Sequence, residues 1–103
     1  MNDVVGSNGL VSVSPGVFSV EAPLTFASVA ALRKLGLRAI DAASSGLTIE
    51  LNKVPAVDSA GLALLIDWLA SARVKSRTLK YANPPETLLS LARLSEVDKL
   101  IAG

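Results

Sequence analysis

Apolar and polar residues alternate over two short stretches near the start of the chain, "LVSVS" (Leu10 to Ser14) and "VFSVEA" (Val17 to Ala22). Period-two alternation is the signature of half-buried strands, and the intervening Pro15-Gly16 marks a turn, so the pair predicts a hairpin. From Thr25 to Ala43 the period changes: Phe26, Val29, Ala30, Leu37 and Ile40 recur at three, four and seven residues, predicting an amphipathic helix despite Gly36. Ser44-Ser45-Gly46 ends it. "LTIEL" (Leu47 to Leu51) alternates again around a β-branched centre and reads as the third strand.

A second helix is predicted from an N-cap at Asp58 to about Lys75, followed by a short strand "TLKYA" (Thr78 to Ala82). Asn83-Pro84-Pro85-Glu86 then reads as a helix start, with Asn83 as cap, Pro84 in the first helical position and Glu86 closing a capping box. Ser95-Glu96-Val97-Asp98 repeats the pattern for a last short helix. The order β-β-α-β-α-β-α-α implies an α/β fold, a mixed sheet of about four strands with helices packed on it. Residues 1–9 read as a flexible N-terminal lead-in and residues 10–103 as one domain.

Composition narrows what such a fold can do. Half of the 103 residues are hydrophobic and 18% are charged, enough apolar material for a packed core. A formal charge of +1 gives no basic face of the kind nucleic acid needs. The chain has neither cysteine nor histidine, which removes thiolate and imidazole chemistry and the usual zinc ligands. No Gly-rich phosphate loop occurs, and Asp41, Glu50, Asp58 and Asp67 are scattered without the spacing of a catalytic pair or metal cage. The expectation is a protein without catalytic residues, metal or cofactor. The longest apolar run, "LALLI", is far short of a membrane span, and the start lacks the positive region of a secretory signal, so the reading is cytoplasmic.

The stretch "VPAVDSAGLALLIDWL" (Val54 to Leu69) carries the candidate site. Asp58 is a natural cap for the positive end of a helix. Ser59 has no strong structural duty in the first turn, and a phosphate there would be tolerated by the helix dipole. Gly61 lowers helix stability relative to Ala, which points to close approach by another backbone or by a partner. Leu62, Leu65, Ile66 and Leu69 share one stripe and form the expected core face. Leu64 and Trp68 point away from that stripe, with Ala60 beside them. Either they form an exposed binding surface, or a neighbouring helix or the lead-in covers them. Farther along, Arg73, Lys75, Arg77 and Lys80 fall in a stretch without acids. Solvated cations complementing a helix C-terminus are the ordinary reading, and contact with lipid headgroups or an acidic partner the other.

The strand "LTIEL" followed by Asp58-Ser59-Ala60-Gly61-Leu62 and its helix resembles the STAS domain, the module named for sulfate transporters and anti-sigma factor antagonists. The resemblance covers about Leu10 to Ile101. Within that family the "DSAGLALLIDWL" helix, the Asn83-Pro84 start and the ending "LLSLARLSEVDKLI" look most like the MlaB branch, the STAS subunit of the Mla phospholipid-transport ABC system of Gram-negative bacteria. That likeness implies a non-catalytic subunit at the inner membrane, binding an MlaF-like ATPase and through it the permease, in a system that maintains outer-membrane lipid asymmetry. Membrane contact would then be indirect. Carried over by position, Ser59 matches the family's functional Ser/Thr, with Asp58, Ala60 and Gly61 completing the loop. Leu64 and Trp68 join this partner-binding set from helix geometry alone. The other branch, an anti-sigma factor antagonist, implies phosphorylation of Ser59 by a partner serine kinase. Its members commonly carry Asp-Ser-Ser-Gly, and this chain has Ala60 in the third place.

Overall fold

The structure, a computed structural model, describes residues 9–102. The lead-in expected over residues 1–9 therefore lies, but for Gly9, outside the described residues. The elements run β1 (Leu10–Ser14), β2 (Val17–Val20), α1 (Val29–Ala42), β3 (Gly46–Glu50), α2 (Ser59–Val74), β4 (Thr78–Ala82), α3 (Glu86–Leu94) and α4 (Asp98–Ala102), in the order read from the sequence.

The four strands form one mixed sheet in the order β1-β2-β3-β4. β1 and β2 pair antiparallel through the Pro15-Gly16 turn, where Gly16 takes the positive φ of 77° that a residue with a Cβ resists. The register slips between Ser12 and Ser14, leaving Val13 on the edge, 60% exposed. β2 with β3 and β3 with β4 pair parallel. Parallel neighbours need a crossover, and α1 and α2 supply the two. On β3 the inward Leu47 and Ile49 are buried, as is Leu51 just past its end, while Thr48 and Glu50 are only half-buried. Phe18, Ile49 and Tyr81 stand in one row across three strands. The Tyr81 hydroxyl donates to the Leu65 carbonyl at 2.6 Å, tying the sheet to the middle of α2.

α2 is the central helix, and this corrects one of the two readings left open for its apolar side. Leu62 and Leu65 are buried on the expected stripe, with Ile66 and Leu69 half-buried. Leu64 and Trp68 are buried as well, with exposures of 4% and 0%, so neither is a surface residue. Their cover is α1. Gly36 faces the Trp68 indole so closely that a Cβ on it would fall inside the ring, and the indole Nε1–H points to the Arg33 carbonyl at 3.5 Å. A helix flanked on more than one side buries more than one stripe, which a single-stripe reading of Leu62, Leu65, Ile66 and Leu69 does not anticipate.

Three helix starts also move. α1 begins at Val29, because Thr25 to Ser28 form a separate turn in which the Ser28 hydroxyl donates to the Pro23 carbonyl at 2.5 Å and accepts from the Thr25 N–H at 3.1 Å. Phe26, placed in the helical stripe by its spacing, consequently sits ahead of the helix and is 81% exposed. α3 begins at Glu86 with Pro85 as cap residue. Asn83 instead takes a positive φ of 53° and donates to the Glu50 carboxylate at 2.9 Å, so the expected capping box does not form. Ser95 closes α3 rather than opening α4: Val97 N–H donates to Ala92 O and Glu96 N–H to Arg93 O, with Glu96 left-handed at φ 60°. That is a Schellman closure on a residue other than glycine.

Candidate functional site

The loop ahead of α2 is held by backbone before any side chain takes part. Leu24 N–H donates to Ala56 O at 2.8 Å, Asp58 N–H donates to Leu24 O at 3.0 Å, and Val57 bridges Leu24 in parallel. Leu24 is completely buried, and Val54 nearly so, beneath this ladder. Gly61 lies against it. A Cβ on Gly61 would fall on the Leu24 carbonyl oxygen and stand 2.7 Å from the Leu24 Cβ. The backbone approach expected from a glycine in the first helical turn is therefore made by the chain's own Leu24.

Asp58 is the N-cap of α2 and reaches in two directions. Its Oδ1 accepts from Gly61 N–H at 3.0 Å, and its Oδ2 accepts from Phe26 N–H at 2.9 Å across 32 residues of sequence. The bond from Phe26 first, then that from Gly61, holds the carboxyl below its ordinary pKa of 3.8. Asp58 is thus anionic near neutrality and poorly suited to accept a proton. It positions the loop.

Ser59 opens α2 and is exposed. One side of it faces a groove toward α3, lined by Val57, Asp58, Glu86, Leu91 and Leu94 among others. The Glu86 carboxylate there pairs with Arg93 at 2.5 Å, which holds Glu86 low in pKa. On the other side, Ala60 shares a shallow apolar depression with Val29, Ala30 and Ala63, rimmed by the Arg33–Asp67 ion pair at 2.9 Å. Two large apolar side chains stand free on this end of the molecule: Phe26, bonded through its N–H to Asp58, and Leu94 in the α3 groove, 84% exposed. Exposed apolar groups beside a rigid polar loop suit a protein docking surface.

Of the six residues read as partner-binding, Ser59 is exposed and Asp58 and Ala60 are half-buried beside it. Gly61 and Trp68 are interior and support the surface without forming it, and Leu64, largely buried, floors the depression beside Ala60. Phe26 and Leu94 were not read as site residues. Ser28, three residues after Thr25, was the available signal for Phe26, since a turn closed by a serine hydroxyl would have placed Phe26 outside the helix. Leu94 had no such signal. Among the described residues no group of acids could hold a metal ion, and no helix is long and apolar enough to cross a membrane.

The comparisons fit this geometry. Three solved structures share the fold: the anti-sigma factor antagonist SpoIIAA in its unphosphorylated form (18% identity, covering 89% of this chain and 83% of that one, TM-score 0.70); a putative anti-sigma factor antagonist from Thermotoga maritima (15%, 88% and 80%, TM-score 0.73); and a sulfate transporter family protein from Wolinella succinogenes (15%, 99% and 83%, TM-score 0.68). No curated protein matches the sequence. The family model described as "Mlab, STAS domain" matches residues 12–102, which takes in all of the sheet but the first two residues of β1, every helix and the Ser59 loop. The chain belongs to the STAS domain family, in its MlaB-like group.

Proposed function

We propose that this chain is a non-catalytic accessory subunit of an Mla-type phospholipid-transport ABC system, binding the ATPase subunit through the surface around Ser59. The observation that carries this reading is Ser59 itself, exposed in the first turn of α2 beside a cap, Asp58, that bonds in two directions. Leu94 is free in the groove that Ser59 faces, and Phe26 is free where its N–H meets Asp58. The MlaB-like family match supplies the kind of partner. In this reading the ATPase covers Ser59, Ala60, Phe26 and Leu94, and the chain reaches the membrane through the permease, in the service of outer-membrane lipid asymmetry. The fold's likeness to anti-sigma factor antagonists supports a second reading, in which a serine kinase phosphorylates Ser59. The family match is to the MlaB-like group, so the docking role is preferred.

The test is mild-detergent purification of the tagged protein from its host, with the copurifying chains identified by mass spectrometry. An ABC ATPase and its permease are the expected partners. Ser59→Asp and the pair Phe26→Ser with Leu94→Ser should each reduce ATPase recovery about fivefold or more without altering thermal unfolding, because all three side chains are exposed. Recovery of a serine kinase and a sigma factor, with phosphate on Ser59 by intact mass, would replace this reading with the second.

A further inference from the structure

At the opposite end of α2, the chain gathers cations that the partner surface does not use. α2 closes in a Schellman turn: Arg77 N–H donates to Ala72 O at 2.8 Å and Ser76 N–H to Arg73 O at 3.0 Å, with Ser76 left-handed at φ 59°. This turn fixes where Arg77 leaves the backbone. Its Nη1 donates to the Lys75 carbonyl at 2.9 Å, while its Nε is buried and has no acceptor among the described residues. An unmatched buried donor is rare, and the guanidinium edge made by Nε and Nη2 is the one that grips an oxyanion with two parallel bonds.

Arg77 lines a recess of about 440 Å³ together with Arg73, Lys99, Ser76 and Thr78; Nε itself has no solvent contact, so that edge meets a ligand there once the side chain turns outward. Among the described residues no carboxylate lines it and none of the three cations is ion-paired. Neighbouring Lys75 differs: it pairs with Asp41. At this end of α2 the Ser71, Ala72 and Arg73 carbonyls accept backbone N–H groups and the Lys75 carbonyl accepts from Arg77, and the negative helix end offsets part, not all, of the charge of three cations. Three cations and two hydroxyls supply more donors than the two oxygens of a carboxylate can accept. They suit a tetrahedral oxyanion. Leu69, Leu79 and the half-exposed Leu100 form the apolar part of the wall and leave room for a substituent on it.

We infer that this recess binds a substituted phosphate, a phosphoester anion gripped by Arg73, Arg77 and Lys99. Such a group could arrive on a soluble metabolite or as a lipid headgroup. The inference stands apart from the docking surface around Ser59 and would survive its failure.

The Nε–H resonance of Arg77 in the full chain is the reporter, followed by nitrogen-15 NMR. Inorganic phosphate, glycerol 3-phosphate and phosphatidylglycerol vesicles are added in turn at ionic strength held constant with chloride. A saturable shift with glycerol 3-phosphate, tighter than with inorganic phosphate, assigns the site to soluble phosphoesters. A response confined to the vesicles assigns it to a headgroup. In either case Arg73→Gln with Lys99→Gln, both at exposed positions, should weaken binding roughly tenfold or more while leaving amide resonances elsewhere in place. No response to any of the three, or a response that the double variant leaves unchanged, overturns the inference.

Discussion

Gly36→Ala offers a sharp test of the α1–α2 packing, because its sign depends on Trp68. In a helix whose glycine faces solvent, the change to alanine stabilises by about 1 kcal/mol. Here the new Cβ would fall inside the buried indole, and overpacking of that kind destabilises by about 1–3 kcal/mol or more. The net expectation is a loss of about 1–2 kcal/mol. Trp68→Ala alone should lose about 3–5 kcal/mol, a large share of the roughly 5–15 kcal/mol available to a domain of this size. In that background the added methyl enters the space the indole vacated, so Gly36→Ala should become stabilising by about 1–2 kcal/mol. The four proteins of the cycle, unfolded in urea and followed by far-UV circular dichroism, give a coupling of about 2 kcal/mol or more. If Trp68→Ala leaves too little folded protein, Trp68→Phe keeps the test, with a smaller coupling of the same sign. A Gly36→Ala protein more stable than wild type would show that Trp68 does not lie over Gly36, and the burial argued for Trp68 would fail with it.

Gly61→Ala should cost at least about 2 kcal/mol in the same urea assay, since the obstructing group is the Leu24 backbone and cannot rotate away. Glu96→Gly should raise the melting temperature by several degrees, corresponding to about 1 kcal/mol, by relieving a left-handed residue at the end of α3. Tyr81→Phe should lose about 1 kcal/mol at neutral pH with the bond to Leu65 O. Burial, and secondarily the charge of Asp67, raises the Tyr81 phenol well above its ordinary 10.0, so its contribution is complete below that value and disappears as pH rises past it; the alkaline fall in stability should be weaker in Tyr81→Phe. For Asp58 the sign is opposite. Its depressed carboxyl stabilises the fold above its ordinary 3.8 and ceases to as pH falls through the folded value, so Asp58→Asn should flatten the acid limb of a pH–stability curve.

The sequence made the element order legible because strands and helices carry different periods, and Asp58 and Gly61 were readable as cap and close approach from residue type alone. Helix starts were less legible where a local bond overrode the ordinary cap. Ser28 bonds backward to Pro23, and Asn83 is drawn to Glu50, a partner 33 residues away that no local pattern reveals. Leu64 and Trp68 were ambiguous for a different reason. α2 is apolar around most of its circumference, and such a helix is a buried one, but which neighbour covers which stripe depends on tertiary placement. Gly36 was the clue in α1, legible only once Trp68 lies across from it. Lys99 could not be joined to Arg73 and Arg77 until α4 folded back beside the end of α2.

The two-handed grip of Asp58 also has a dynamic consequence. The amides of Phe26 and Gly61 belong to different segments but share one carboxylate, so releasing that carboxylate frees both. They form one opening unit: under native conditions their hydrogens should exchange with solvent at matched free energies, and a protein docked on Ser59 should slow both together. The loop is then a clasp that opens as a whole, and a protein docked on it would act by holding it shut.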